Sequence, residues 1–182
     1  MAVEHLTVGV VVERREIDNP WIDHTWAPVA VLADAPDVPP WTSLGKDGRS
    51  ERFYAGACAL SLYSSDTAQL IENFTSGSGK LWVSVRPTGI DPPLEVVGVT
   101  ADPTEGEGYL EGMGDVVEVV AMPEGIADHV LSFYKAHHVE RPFIKRKRDK
   151  ANRDAFAGRP DRPDRVMRTE GGRPVGSAED EP

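Results

Sequence analysis

The segment Leu6-Thr7-Val8-Gly9-Val10-Val11-Val12-Glu13 decides the fold class. Leu6, Val8, Val10 and Val12 line one face, while Thr7, Gly9 and Glu13 line the other, which is the two-residue period of a strand with one buried side. Working outward, Asn19-Pro20 turns the chain and residues 29–32 form a second strand, ended by the proline-rich stretch 34–40. A third short strand covers residues 41–44, and the glycines at 45 and 48 mark the next turn. The long apolar run 52–63 reads as a central strand, where the alanines and Gly56 leave room for a bulky partner, one of the tryptophans. No helix interrupts the first 63 residues, so the regular strand and helix alternation of a doubly wound parallel sheet is absent. The predicted class is therefore α+β: a mainly antiparallel, strongly curved sheet of six or seven strands with two or three packed helices and a disordered C-terminal tail.

Helical spacing first appears at Thr67, Leu70, Ile71 and Phe74, after a start at Ser64, Ser65 and Asp66 and before the stop Ser76-Gly77-Ser78-Gly79. Residues 81–86 and 94–100 predict a hairpin joined by the turn 87–93. Asp102-Pro103 opens a short helix to Leu110, in which Gly106 and Gly108 oppose helix formation. Residues 115–121 form the last strand. Pro123 opens the strongest helix, with Ile126, Val130, Phe133 and Tyr134 as its apolar stripe.

The 182 residues, 40% of them apolar, suffice for one domain with a substantial core. We expect a domain over 1–139, a basic helical extension over 140–156 and a tail over 157–182, too poor in apolar residues to offset its ordering entropy. The net charge of -10 conceals an asymmetry. Residues 1–138 carry 21 acidic and 8 basic side chains, whereas residues 139–182 carry 9 and 12. An acidic body cannot hold a polyanion across its face, so any nucleic-acid contact would have to use the basic segment, and nucleic acid ranks below protein as a partner. The single cysteine, Cys58, has no intramolecular partner and reads as a small core residue. No apolar run reaches the ~18 residues of a membrane span, and the N-terminal run has no cationic lead-in, which together predict a cytoplasmic protein.

Candidate chemistry is sparse. His5, His24, His129, His137 and His138 show none of the spacings that bring three or four ligands onto a metal ion. Ser76-Gly77-Ser78-Gly79-Lys80 follows a helix and precedes a strand, the reverse of the order a phosphate loop requires. We predict no catalytic residues, no metal residues and no cofactor, and assign no residue to cofactor binding. Two stretches read instead as partner-binding. Trp21, His24 and Trp26 share a short bend between two strands, where exposed aromatic rings favour contact. Phe143, Lys145, Arg146, Lys147 and Arg148 form the densest basic cluster and suit docking of a protein partner.

The set Val8-Gly9-Val10-Val11-Val12-Glu13-Arg14-Arg15, Asn19-Pro20-Trp21, Trp26-Ala27-Pro28-Val29-Ala30-Val31-Leu32, Phe53-Tyr54-Ala55-Gly56, Leu81-Trp82-Val83, Met122-Pro123 and the run from His137 to Asp149 resembles a known family. This is an uncharacterised bacterial family (domain of unknown function thirty-three-oh-five) encoded beside molybdenum-dependent formate dehydrogenase genes. Its members often carry the label molybdopterin-guanine dinucleotide biosynthesis protein A. The resemblance implies a setting near formate dehydrogenase and carries no site residues. The label itself conflicts with the residues: a nucleotidyltransferase of that kind needs a glycine-rich loop after its first strand, and here the strand runs into Glu13-Arg14-Arg15-Glu16. The function expected is a non-enzymatic accessory protein for assembly, maturation or regulation of a molybdenum formate dehydrogenase, with a subunit of that enzyme as the partner. The alternatives are a small enzyme or cofactor-binding protein of molybdopterin metabolism, and a nucleic-acid-binding regulator acting through the basic segment.

Overall fold

A computed structural model describes residues 1–140 except Ser76 and Met113. The basic segment with Phe143, Lys145, Arg146, Lys147 and Arg148, and the tail, lie outside the described residues. Within Met1–Glu140 the chain forms seven strands and three helices: β1 (Val3–Glu16), β2 (His24–Leu32), β3 (Thr42–Asp47), β4 (Ser50–Tyr63), α1 (Thr67–Glu72), β5 (Lys80–Pro87), β6 (Leu94–Thr100), α2 (Pro103–Leu110), β7 (Val116–Ala121) and α3 (Glu124–His137).

The α+β class and the antiparallel pairing hold, but the strands form two sheets and not one strongly curved sheet. A four-stranded sheet runs β2-β1-β4-β3 and a three-stranded sheet runs β6-β5-β7, every neighbouring pair antiparallel. The reason is burial. Val8, Val10 and Val12 of β1 and Leu81, Val83 and Val85 of β5 are all fully buried in one shared core, so the alternating face of each sheet is the cover for the other. Close approach of β2 to β7 on one flank and of β4 to β6 on the other shuts this core sideways.

The first strand departs from simple alternation. From Val8 to Glu13 every residue is buried, because the proline-rich segment covers the outer face as the second sheet covers the inner one. A Cβ on Gly9 would lie 3.1 Å from the Tyr54 ring and 3.2 Å from Pro36. Gly56, where a tryptophan was expected, instead faces Pro40. It takes φ 138° beside a bulge that shifts the β1–β4 register between Val10 and Val11. The β3–β4 hairpin closes through Gly48 and Arg49, with Gly48 at φ 57°.

Strand register sorts the ends of the domain. At one end lie Val3 of β1, Leu32 of β2, Tyr63 of β4, Lys80 of β5 and Ala121 of β7, and here the helices gather. Ile126, Val130 and Phe133 of α3 and Leu70 of α1 enter the core. Asn73, just past α1, is buried and donates to the carbonyls of Lys80 and Ala101, both at 2.8 Å, while accepting from the Lys80 amide at 2.9 Å. It thereby ties three segments together. On the far face of the smaller sheet, α2 opens on Asp102, whose carboxylate accepts from the Thr104 amide, and lays Gly106 against Trp82. The opposite end of the domain carries the three hairpin turns β1–β2, β3–β4 and β5–β6, with no helix of the described residues over them.

Candidate functional site

At this hairpin end the core runs out into aromatic rings. Arg14 follows the buried series Val8, Val10, Val12 on the same face of β1, and its Cα partners are Trp26 on β2 and Glu51 on β4. Trp26 meets Trp41 edge-on, with centroids 5.8 Å apart and planes at 82°, and packs at 5.5 Å against Phe53. The Arg14 guanidinium stands 5.9 Å from the Trp26 ring centroid and 5.7 Å from that of Phe53, and donates at 2.7 Å to the Glu51 carboxylate. With Ile90, Asp91 and Pro93 of the β5–β6 turn, Arg14, Trp26, Trp41 and Phe53 line an open cleft of about 450 Å³.

Trp41 is held there at a cost. It takes φ 69°, the left-handed region that bulky L-residues avoid by about 1–2 kcal/mol. Its amide donates to the Tyr54 carbonyl at 2.5 Å, and the next residue, Thr42, binds the Pro39 carbonyl through its hydroxyl at 2.7 Å. The rigid Pro39-Pro40 lead-in and these bonds fix an indole as the cleft wall where a glycine would be strain-free.

The structure separates the residues expected to share one bend. Only 17–23 form the turn, closed by the Ile17 amide on the Asp23 carbonyl and by the Trp21 amide on Asn19 Oδ1. The second strand starts at His24 and not at Val29, so His24 and Trp26 are strand residues. Trp26 packs inward against the core, and the His24 ring stands nearly perpendicular to it with centroids 5.8 Å apart. Trp21 stands 88% exposed at the turn and makes no part of the aromatic cluster. Sequence reading overlooked Trp41, Phe53, Arg14 and Ile90. The double proline before Trp41 and the facing positions of Val12 and Phe53 were the available signals, but they acquire meaning only once strands pair.

Exposed apolar side chains stand on or beside all three turns: Trp21 and Ile22 at the first, Leu44 beside the second, and Ile90, 73% exposed, at the third, where it lines the cleft. An Asp18–Arg49 ion pair at 2.8 Å joins the first two turns. Among the described residues, no group of three or more His, Cys, Asp or Glu side chains is placed to hold a metal ion. His129 and His137 both approach the Glu4 carboxylate, at 2.8 and 3.7 Å; His138 bonds Thr67 and His5 bonds Ser61. Cys58 is half-buried, packed beside the core and not within it, and burial raises its thiol pKa despite hydrogen bonds with Val99 and Ala59. Gly77 to Lys80 joins a helix to a strand, the order that a phosphate loop does not use. No helix among the described residues is long and apolar enough to cross a membrane.

The fold and site define a two-sheet α+β domain with helices at one end and an aromatic, apolar-rimmed cleft at the other. The chain belongs to the family described as protein of unknown function (DUF3305), whose model matches residues 7–147. No curated protein and no solved structure matches it.

Proposed function

We propose that this chain is a non-enzymatic accessory protein that works by docking a partner protein at the hairpin end of the domain, and that the partner is a subunit of a molybdenum-dependent formate dehydrogenase. One observation carries the docking reading: at this end of the domain Ile90, exposed to solvent, lines a cleft walled by Trp26, Trp41 and Phe53, and the β1–β2 turn presents Trp21 and Ile22 to solvent. Exposed apolar side chains grouped on loops above a rigid sheet are the usual form of an interaction surface. The occupant that fits is an extended segment bearing basic and apolar side chains. Arg14 shows the chemistry in miniature, since these rings and Glu51 already hold one guanidinium. Asp91 at the rim and the excess of acidic side chains on the domain both draw a cationic partner. The formate dehydrogenase setting comes from the family resemblance alone.

The test combines genetics and capture. Deleting the gene should lower formate dehydrogenase activity, and the tagged full chain should retain a formate dehydrogenase subunit on purification from its host. Ile90→Asp with Trp21→Ser, both fully folded by circular dichroism, should abolish that capture. Unchanged formate dehydrogenase activity in the deletion strain would remove the reading, as would catalytic turnover of any metabolite by the pure chain.

A further inference from the structure

Glu13, next in sequence to Arg14, points to the opposite face of the larger sheet and belongs to a separate cleft of about 390 Å³ lined by Glu13, Arg15, Lys46, Asp47, Ser50 and Arg52 among others. Strand pairing sets Arg52 across from Glu13 and Ser50 across from Arg15. The Glu13 side chain is only 8% exposed, and its charge is fully used by this cluster. Oxygen Oε1 accepts from Arg15 Nη2 at 2.9 Å, Arg15 Nε at 3.2 Å and the Ser50 hydroxyl at 3.2 Å; Oε2 accepts from Arg52 Nε at 3.3 Å. Burial pushes this carboxyl up, but hydrogen bonds from Arg15, Arg52 and Ser50 outweigh it and keep Glu13 ionised.

The donors left over point to a ligand. Among the described residues no acceptor meets Arg15 Nη1 or either Nη of Arg52, although both side chains are about two-thirds exposed beside the cleft. The Glu13 carboxylate takes Arg52 through Nε alone, so both Nη atoms of Arg52 stay available beside the cleft. Arg15, Lys46 and Arg52 outnumber Glu13 and Asp47 at this cleft, on a domain where acids otherwise dominate; Lys46 also reaches Glu16 at 3.5 Å.

We infer that this cleft binds a small oxyanion, bridged between the guanidinium groups of Arg15 and Arg52, with Glu13 as the buried anchor that positions both. The chemistry fits a phosphate group and the carboxylate of an acidic side chain alike. This site is independent of the docking end, so either can fail alone.

The test follows the Nε–Hε signals of Arg15 and Arg52 in the full chain by NMR at low ionic strength, during separate titrations with inorganic phosphate, acetate and, as a control, chloride. Saturable shifts with phosphate or acetate, absent with chloride, are expected at millimolar concentration; the tighter of the two anions identifies the source. Arg52→Gln and, separately, Arg15→Gln should weaken binding about tenfold or more, the weight of a charge-assisted contact. Arg49→Gln, in the hairpin turn and paired with Asp18, should not. Glu13→Gln separates a built site from plain charge attraction. Weaker binding supports the anchor, whereas tighter binding, or shifts that chloride reproduces, overturns the inference. Thermal melts of each variant confirm that the fold is intact.

Discussion

The same substitution made at two glycines of one helix should change stability in opposite directions. Gly106 and Gly108 both lie in α2. Replacing glycine by alanine inside a helix gains up to about 1 kcal/mol, because alanine has less backbone freedom to lose. At Gly108 a new Cβ meets nothing within 4 Å, so the gain stands, reduced towards about 0.5 kcal/mol by nearness to the helix end. At Gly106 the new Cβ would lie 2.2 Å from Trp82 Cγ and 2.5 Å from Cδ1 and Cδ2. Ordinary carbon contacts sit at about 3.5–4.0 Å, so helix and indole must part by more than ~1 Å. Trp82 cannot yield easily, since β5 is the central strand of its sheet. Overpacking of this kind costs about 1–3 kcal/mol, and the shortness of three contacts puts it at the upper end. We therefore expect Gly106→Ala to destabilise by about 2 kcal/mol net and Gly108→Ala to stabilise by about 0.5 kcal/mol. Urea unfolding of the two variants and the parent reads this directly as midpoint shifts of opposite sign at constant slope. If both variants gained stability, the tight seating of α2 on Trp82 would be wrong.

Three further outcomes follow from the packing and charges. Asn73→Ala removes two donors and one acceptor that bind backbone at a buried position, and should cost about 2–4 kcal/mol in the same unfolding assay; a loss below about 0.5 kcal/mol would mean that water replaces those bonds freely. Glu13, Asp18 and Asp115 all titrate below their ordinary values through arginine partners, Glu13 against its own burial. Their stabilisation is fully present above the unfolded carboxylate range of about 4 and is lost as pH falls through the depressed native values, so unfolding midpoints should fall on acidification below about pH 4. Glu13→Gln should flatten part of that decline, and an unchanged acid limb would contradict the pairing. Because burial raises the Cys58 thiol, alkylation of the folded chain at pH 8 should be at least several-fold slower than in denaturant; equal rates would show an open thiol.

Local pattern carried most of the elements. The hairpin of 81–86 and 94–100, the helix behind Asp102-Pro103 and the stripe of Ile126, Val130 and Phe133 stand where period and capping residues placed them, while Tyr134, expected in the same stripe, is only half-buried. The misses share one cause. His24 and Trp26 looked like a bend because Asn19-Pro20 and Pro28 bracket them, yet pairing with Glu16 and Arg14 draws them into a strand. Gly56 appeared to await a tryptophan, but the chain folds Pro40 over it. Each outcome depends on residues distant in sequence, which no local window contains.

Taken alone, the order of residues determined the α+β class, the antiparallel habit, the acidic body and the absence of any recognisable metal or nucleotide motif, since these depend on composition and on periods of two and 3.6 residues. Tertiary structure alone decided that seven strands divide into two sheets, that helices close one end, and that Arg14, Trp26, Trp41 and Phe53 meet at the other. Alternation says only that a strand has an apolar face. Which surface covers that face is settled by chain segments far apart in sequence, when Val8, Val10 and Val12 come to lie in one core with Leu81, Val83 and Val85.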